Sequence, residues 1–398
     1  MTLSLVNDGN PISMLDWEDV LKVEFTDDRR PYGEMCSGIT VHRQGRALLV
    51  LMPNGDFRSL SSGFTNGGYM DSPQAVLNVS GIGGKVEYTT MVGGLDTYDR
   101  MNHMYASKLG LDPDRVVHQG TAASMDNAAI AKEVSDEGID VSLAITAGIS
   151  HNGGRSGDPA SYDESQSGTK EKSGTIISIM AIDADLSDSA MLQAMLILTE
   201  AKSCVIQELQ ARSLYSHGIA TGSGTDQVTI ISNKGSPNKI RSIERDSGLA
   251  EAIARCVNHG LREAFDRQAG MNPETQWDAL HLMSRYTGRD EIREEMRFPA
   301  KMEELLSALD ALRKDSSITA VTTIILNIAD DVRNGLIPER DGIELSVKMC
   351  EDMVIGRRTD PVERIRLDNM DSVIDVISYV SAIKLMDTVR ERRSGYGE

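Results

Sequence analysis

The chain has 398 residues, 40% of them apolar, enough for one large core with an appendage or for two cores. Its 60 acidic residues against 41 basic ones leave a net charge of −19, which repels phosphate backbones and anionic lipid surfaces, so nucleic acid and membranes are set aside as partners. No apolar run approaches the roughly 20 residues that span a bilayer, no basic segment followed by an apolar stretch opens the chain, and the four cysteines form no C-x-x-C pair; the expectation is a cytoplasmic protein with reduced core thiols.

In chain order, residues 1–45 are mixed and polar, and Ala47 to Met52 (ALLVLM) reads as a buried strand ended by the turn Pro53-Asn54-Gly55. From Leu60 to Gly94 the glycine-punctuated sequence predicts short strands joined by tight turns. Val141 to Thr146, Gly174 to Ile182 and Gln227 to Ser232 read as three core strands. Ser187 is a candidate N-cap for a helix to about Ala211, with Met191, Met195, Leu198, Val205 and Leu209 at helical spacing, and a second helix is expected from about Gly248 to Arg267. Strands and helices mixed at irregular intervals predict an α/β class, a mixed α+β sandwich. After Gly270 charge-laced helical periodicity takes over, as in Met302 to Leu312 and Val373 to Val389. The boundary separates a glycine-rich α/β domain at 1–269 from a mainly helical C-terminal appendage at 270–398, a surface for a homo-oligomer or a partner.

Five polar, glycine-rich clusters carry the candidate chemistry: Ser61 to Gly68 (SSGFTNGG), Thr121 to Ala128 (TAASMDNA), Thr146 to Asp158 (TAGISHNGGRSGD), Thr199 to Lys202 (TEAK) and Ala220 to Asp226 (ATGSGTD). Most adjoin a predicted strand end, where α/β proteins place ligands. Lys202 falls on the apolar stripe of its helix, between Met195 and Leu198, and Glu200 lies nearly opposite. Such a lysine either snorkels to the edge of the core or sits dehydrated as a proton donor or amide ligand. The loop at 220–226 is either a tight turn with an Asx bond from Asp226 or a cradle whose glycines, Gly222 and Gly224, bring backbone N–H groups up to a ligand. The long polar stretch after Thr146 is either a solvated insertion or a lid in which His151 relays a proton, Arg155 binds a carboxylate or amide oxygen, and Asp158 orients them. Asn66 with Gly67, and Asn127, are either turn residues or substrate amide contacts. No H-E-x-x-H, P-loop or G-x-S-x-G motif occurs, and no metal ligand is assigned.

Together with Gly174-Thr175-Ile176 and the turn Leu186-Ser187, these clusters resemble the adenosylcobinamide amidohydrolase (CbiZ) family in order and approximate spacing over roughly residues 58–235. The chain departs from that pattern at Ser150 to Gly154 (SHNGG) and at Ile177, where the family has asparagine. The resemblance implies hydrolysis of the aminopropanol amide of adenosylcobinamide to give adenosylcobyric acid in cobamide salvage, the corrinoid being substrate and no cofactor being required. Amide hydrolysis needs an activated nucleophile, donors for the oxyanion and an acid for the leaving amine. On this reading Glu200 activates water, Lys202 or Thr225 stabilises or protonates, His151 is a further proton carrier, and Asp226 with the glycine loops positions substrate. Asn66, Gly67, Asn127, Thr146, Asn152, Arg155, Asp158, Thr175, Thr221, Gly222 and Gly224 are the candidate substrate contacts. Two rivals stay open: an acyltransferase or autoprocessing amidase with a threonine or serine nucleophile, suggested by the GTI strand, and a non-catalytic corrinoid-binding protein.

Overall fold

Near-continuous apolar runs are stable as strands only when both faces are covered. The three expected core strands, β9 (Asp140–Gly148), β11 (Thr175–Ile182) and β14 (Gln227–Asn233), meet that condition in the structure, a computed structural model that describes residues 28–80, 99–160, 174–286, 292, 301–357 and 359–395. They sit inside a six-stranded sheet ordered β5–β4–β14–β11–β9–β8, completed by β4 (Phe57–Ser61), β5 (Gly68–Asp71) and β8 (Ala129–Val134). Strands β11 and β14 run parallel, and every other neighbouring pair in this sheet is antiparallel.

A second sheet, ordered β1–β2–β3–β6–β7, is built from β1 (Arg30–Glu34), β2 (Thr40–Gln44), β3 (Ala47–Leu51), β6 (Ala75–Ser80) and β7 (Val116–Thr121). Alternation along the strands decides the layers. Ile177, Ile179, Ala181 and Ile231 point at Val41, Val50, Val76 and Val117 of the second sheet. Their neighbours Ile176, Met180 and Ile182 point the other way, onto two long helices, α1 (Asp188–Glu208) and α2 (Gly248–Ala269). The outer face of the second sheet, with Leu49, Leu77 and Val116, is covered by Met101, Tyr105 and Ala106 of a helical segment at 99–108. Helix, sheet, sheet and helices thus form four layers, a mixed α/β sandwich.

Both long helices start where sequence places their caps. The Ser187 hydroxyl accepts from the Ala190 amide at 3.2 Å, and the Ser247 hydroxyl accepts from the Ala250 amide at 3.2 Å. By length and composition α1 is apolar enough to cross a bilayer, which corrects the expectation that no segment is. Here it is a core helix with Met191, Ala194, Leu198, Lys202 and Val205 buried against the sheet. The expectation of four core thiols is also corrected: Cys256 and Cys350 are buried, and burial pushes the Cys350 thiol up to about 12, but Cys204 is exposed on α1. The short strands and tight turns expected from residue 81 to Gly94 lie outside the described residues.

The chain divides into two compact units, Met1–Tyr215 with Ala220–Asn272, and Ser216–Ile219 with Pro273–Glu398. The second is helical: α3 (Met302–Lys314), α4 (Ser316–Arg333), α5 (Glu339–Cys350) and α6 (Val373–Gly395) close over Leu305, Ile318, Ile325, Val376, Val380 and Ile383. Within it Arg285 is buried, donates to the Asp330 carboxylate at 2.7 and 2.8 Å and to the His217 carbonyl at 2.8 and 3.1 Å, while the His217 ring stacks on Tyr286 at 4.7 Å.

Candidate active site

Because β11 and β14 are parallel neighbours, the residues that enter them lie side by side at one edge of the sheet, and antiparallel β9 delivers its last residues to the same edge. Asp226, the residue before β14, faces α1 there. Its Oδ1 accepts from the Ile176 amide at 3.0 Å and the Ser223 hydroxyl at 2.6 Å; its Oδ2 accepts from the Ser223 amide at 3.0 Å and from Lys202 Nζ. The lysine that looked out of place on an apolar stripe is therefore half of an ion pair, with only 10% and 11% of the two side chains exposed. A side chain at Gly222 would strike both Asp226 Oδ2 and Lys202 Nζ, so glycine here leaves the ammonium open toward the loop. Gly222–Ser223 pairs with Gly153–Gly154, and the Thr221 carbonyl accepts from the Ser203 hydroxyl of α1 at 3.1 Å, which fixes the loop on both flanks.

Beside this pair a single carbonyl is crowded with donors. The Gly174 oxygen accepts from Asn152 Nδ2, from the Thr175 hydroxyl at 2.6 Å and from the Thr225 hydroxyl at 3.1 Å, and the two hydroxyls lie 2.7 Å apart. Gly174 has φ +131°, and a Cβ there would overlap Asn152 Oδ1 and crowd the Gly148 carbonyl at 2.7 Å, so the position admits only glycine.

Seven of the anticipated residues, Lys202, Asp226, Thr175, Thr225, Asn152, Thr221 and Gly222, thus converge, and Gly224 is exposed on the same loop. Others do not join them. Glu200, expected as general base, is exposed on the other flank of α1, apart from this cluster, where its carboxylate accepts from Arg245 at 2.7 Å. His151 is exposed, and the Asp158 carboxylate accepts from the Arg155 amide at 2.7 Å and the Ser213 hydroxyl at 2.5 Å, closing a local turn. Asn66 has φ +56° and donates to the Pro113 and Val116 carbonyls at 2.7 and 2.8 Å, while a side chain at Gly67 would strike the Gly63 carbonyl, so both shape the turn that seats β7. Asn127 donates to Gln268 at 3.0 Å and ties its turn to the end of α2.

Thr146 faces the second sheet instead, accepting from Asn78 at 2.9 Å, and it marks a layer the sequence did not reveal. Asn78 and Gln119 are register neighbours on β6 and β7, and Gln227 starts β14. All three are buried, and Asn78 Oδ1, both polar atoms of the Gln119 amide and Gln227 Oε1 find no hydrogen-bond partner among the described residues. Buried amides without a protein partner are rare, and these three set a polar layer between two apolar sheet faces. On the outer face of β7, burial and then the neighbouring His103 hold the His118 imidazole down at about 3, so it stays neutral. Single residues in strand-like runs, with no motif around them, gave no signal in sequence. Among the described residues no group of three or more His, Cys, Asp or Glu side chains is placed to hold a metal ion.

The sequence profile described as adenosylcobinamide amidohydrolase matches residues 33–273, which contain this whole cluster. The uncharacterized protein MJ1613 of Methanocaldococcus jannaschii is 34% identical over 183 residues, covering 43% of this chain and 71% of that protein. Among solved structures, the PH0078 protein from Pyrococcus horikoshii OT3 is similar with a TM-score of 0.30 and 13% identity, over 62% of this chain and 84% of that one.

Proposed function

Because this chain belongs to the adenosylcobinamide amidohydrolase family, we propose that it hydrolyses the amide joining the aminopropanol arm of adenosylcobinamide to the corrin, giving adenosylcobyric acid for cobamide salvage in the cytoplasm. The observation that carries this reading is the meeting of Lys202, Asp226, Thr175 and Thr225 at one sheet edge, beside a glycine loop with no side chain to block approach. Lys202 has one of its three ammonium protons on Asp226, and its Nζ lies beside Gly222, where a side chain would cover it. Charge held there in a poorly hydrated setting stabilises the oxygen of a substrate amide as it becomes an oxyanion. The hydroxyl pair Thr175–Thr225 supplies the attacking oxygen. Asp226 is not the base, since each of its oxygens already accepts two bonds; it holds the lysine, the loop and the start of β11 in register.

The test is incubation of the purified chain with adenosylcobinamide, with adenosylcobyric acid and free aminopropanol resolved by mass. Lys202→Met is expected to lower kcat about a hundredfold or more; Glu200→Gln, outside the cluster, should stay within a factor of about three of the parent. Tight binding without release of aminopropanol would replace the hydrolase by a corrinoid carrier.

A further inference from the structure

The site described so far lacks a base. Thr175 and Thr225 hydrogen-bond each other and the Gly174 carbonyl, and neither hydrogen-bonds a carboxylate or an imidazole among the described residues. Asp226 is saturated and Glu200 faces Arg245. Meanwhile Asn152 Nδ2 and the two hydroxyls, which share two protons among three contacts, converge on one backbone carbonyl, that of Gly174. A carbonyl held by convergent donors, with a hydroxyl against it, is the arrangement an acyl-transfer site presents to its substrate.

We propose that the first substrate is the chain itself: the Gly174–Thr175 peptide bond is cleaved autocatalytically, and the Thr175 so released, with a free α-amine, is the nucleophile of the amidohydrolase. The Thr175 hydroxyl hydrogen-bonds the Gly174 oxygen at 2.6 Å, and rotation about its own Cα–Cβ bond is the movement that turns it onto the adjoining carbonyl carbon. In the reactive arrangement it passes its proton to Thr225, 2.7 Å away, as Thr225 gives its own to the Gly174 oxygen, and Asn152 Nδ2 holds that oxygen. The new C–O bond forms a tetrahedral intermediate. Its C–N bond then breaks as the nitrogen takes back a proton, leaving an ester between Gly174 and the Thr175 side chain. Water hydrolyses the ester to a Gly174 carboxylate and a Thr175 bearing both hydroxyl and amine. The sum is one peptide bond and one water consumed, with no oxidant or other reactant.

Two features of the fold suit this cut. Gly174, at φ +131° and with no room for a Cβ, holds its carbonyl in a backbone conformation that only glycine adopts freely, which fixes that carbonyl against Asn152 and the two hydroxyls. Thr175 is the first residue of β11, so cleavage before it leaves the ladder to β9 and β14 in place. Once Gly174 withdraws, the donors that held its carbonyl face the space where a second amide carbonyl can sit, and the freed amine is the base the site lacked. That second use rests on the corrinoid reading above, whereas the self-cleavage stands without it.

The test is the intact mass of the purified full chain with sequencing of any new N-terminus. The expected result is two polypeptides, one ending at Gly174 and one beginning Thr-Ile-Ile-Ser, whose masses sum to the chain plus one water. Thr175→Ser should still cleave, Thr175→Ala should remain one chain, and Asn152→Ala should slow cleavage by about a hundredfold or more. A single chain of full mass after prolonged incubation at pH 8 overturns the proposal; if that uncut chain still converts adenosylcobinamide, the corrinoid reading survives alone. Cleaved protein that leaves adenosylcobinamide untouched supports the self-cleavage and removes Thr175 as the corrinoid nucleophile.

Discussion

Asp226→Asn is the perturbation that asks most of the site. Asparagine keeps the shape of aspartate but offers one oxygen where there were two. Whichever way the amide turns, two of four donors, drawn from the Ile176 amide, the Ser223 amide, the Ser223 hydroxyl and Lys202 Nζ, then face an NH2 group. Lys202, 10% exposed, also becomes a buried cation without a counterion. Removing one partner of a buried pair costs about 3–5 kcal/mol, and an orphaned buried N–H costs about 1–3, the two overlapping because they share one loop. A loss of about 3–5 kcal/mol is expected. Adding Lys202→Met removes the stranded charge, so the double variant should recover about 2 kcal/mol or more relative to the sum of the singles. With two units in the chain a single melting curve is no two-state measure, so the readout is amide exchange on β11 and β14, expected to speed by about two to four orders of magnitude in Asp226→Asn. A change under about 1 kcal/mol, or strictly additive single and double variants, would refute the reasoning.

The polar layer between the sheets makes an opposite prediction: Gln119→Met, which removes two buried polar atoms unpartnered among the described residues, should stabilise by about 1 kcal/mol, and exchange on β6 and β7 that quickens instead would show that the amide is satisfied in solution. For His118 the folded state favours the neutral ring, with a value of about 3 against an ordinary 6.5, so the unfolded chain binds the extra proton; stability is complete above pH 6.5 and falls as pH drops from there toward 3, by about 2 kcal/mol on reaching pH 5. Urea unfolding between pH 7 and pH 5 should show that slope in the parent and lose it in His118→Leu; equal slopes would count against a buried neutral imidazole.

How much of this was legible varies with how local the cause is. The runs VSLAIT, GTIISIMAI and QVTIIS announced β9, β11 and β14, and Ser187 announced α1, because apolar continuity and a cap are properties of neighbouring residues. The ordered clusters likewise announced the family that the profile match bears out. Strand β7 (VVHQGT) gave no such signal, since His118 and Gln119 occupy positions where a buried strand would carry valine. The lysine at 202 was conspicuous on its stripe, but its partner sits 24 residues away and only the parallel pairing of β11 and β14 brings it near. Glu200 and Lys202 part company for a local reason: two residues along a helix turn about 200°, so one helix sends Glu200 to Arg245 and Lys202 to Asp226. The wheel contained that fact; the motif TEAK, read as a unit, obscured it.

The departure at Ile177 can be placed by the same reasoning. Ile177 is register partner to Thr146 on one side and Gln227 on the other, and it points with Ile179 toward the second sheet. Asp226 and Lys202 occupy the opposite face, toward α1. Substitution at 177 therefore leaves the ion pair and the Gly174 carbonyl alone, and acts on the layer shared by Asn78, Gln119 and Gln227. An apolar residue there cannot serve those amides as a partner, which is consistent with their unpaired atoms. Strand parity thus separates the ion pair, not the whole site, from the layer between the sheets: Asp226 lies on the side of α1, whereas Thr175 shares the parity of Ile177 and Ile179, so the hydroxyl at the start of β11 stands on the same face as the polar layer.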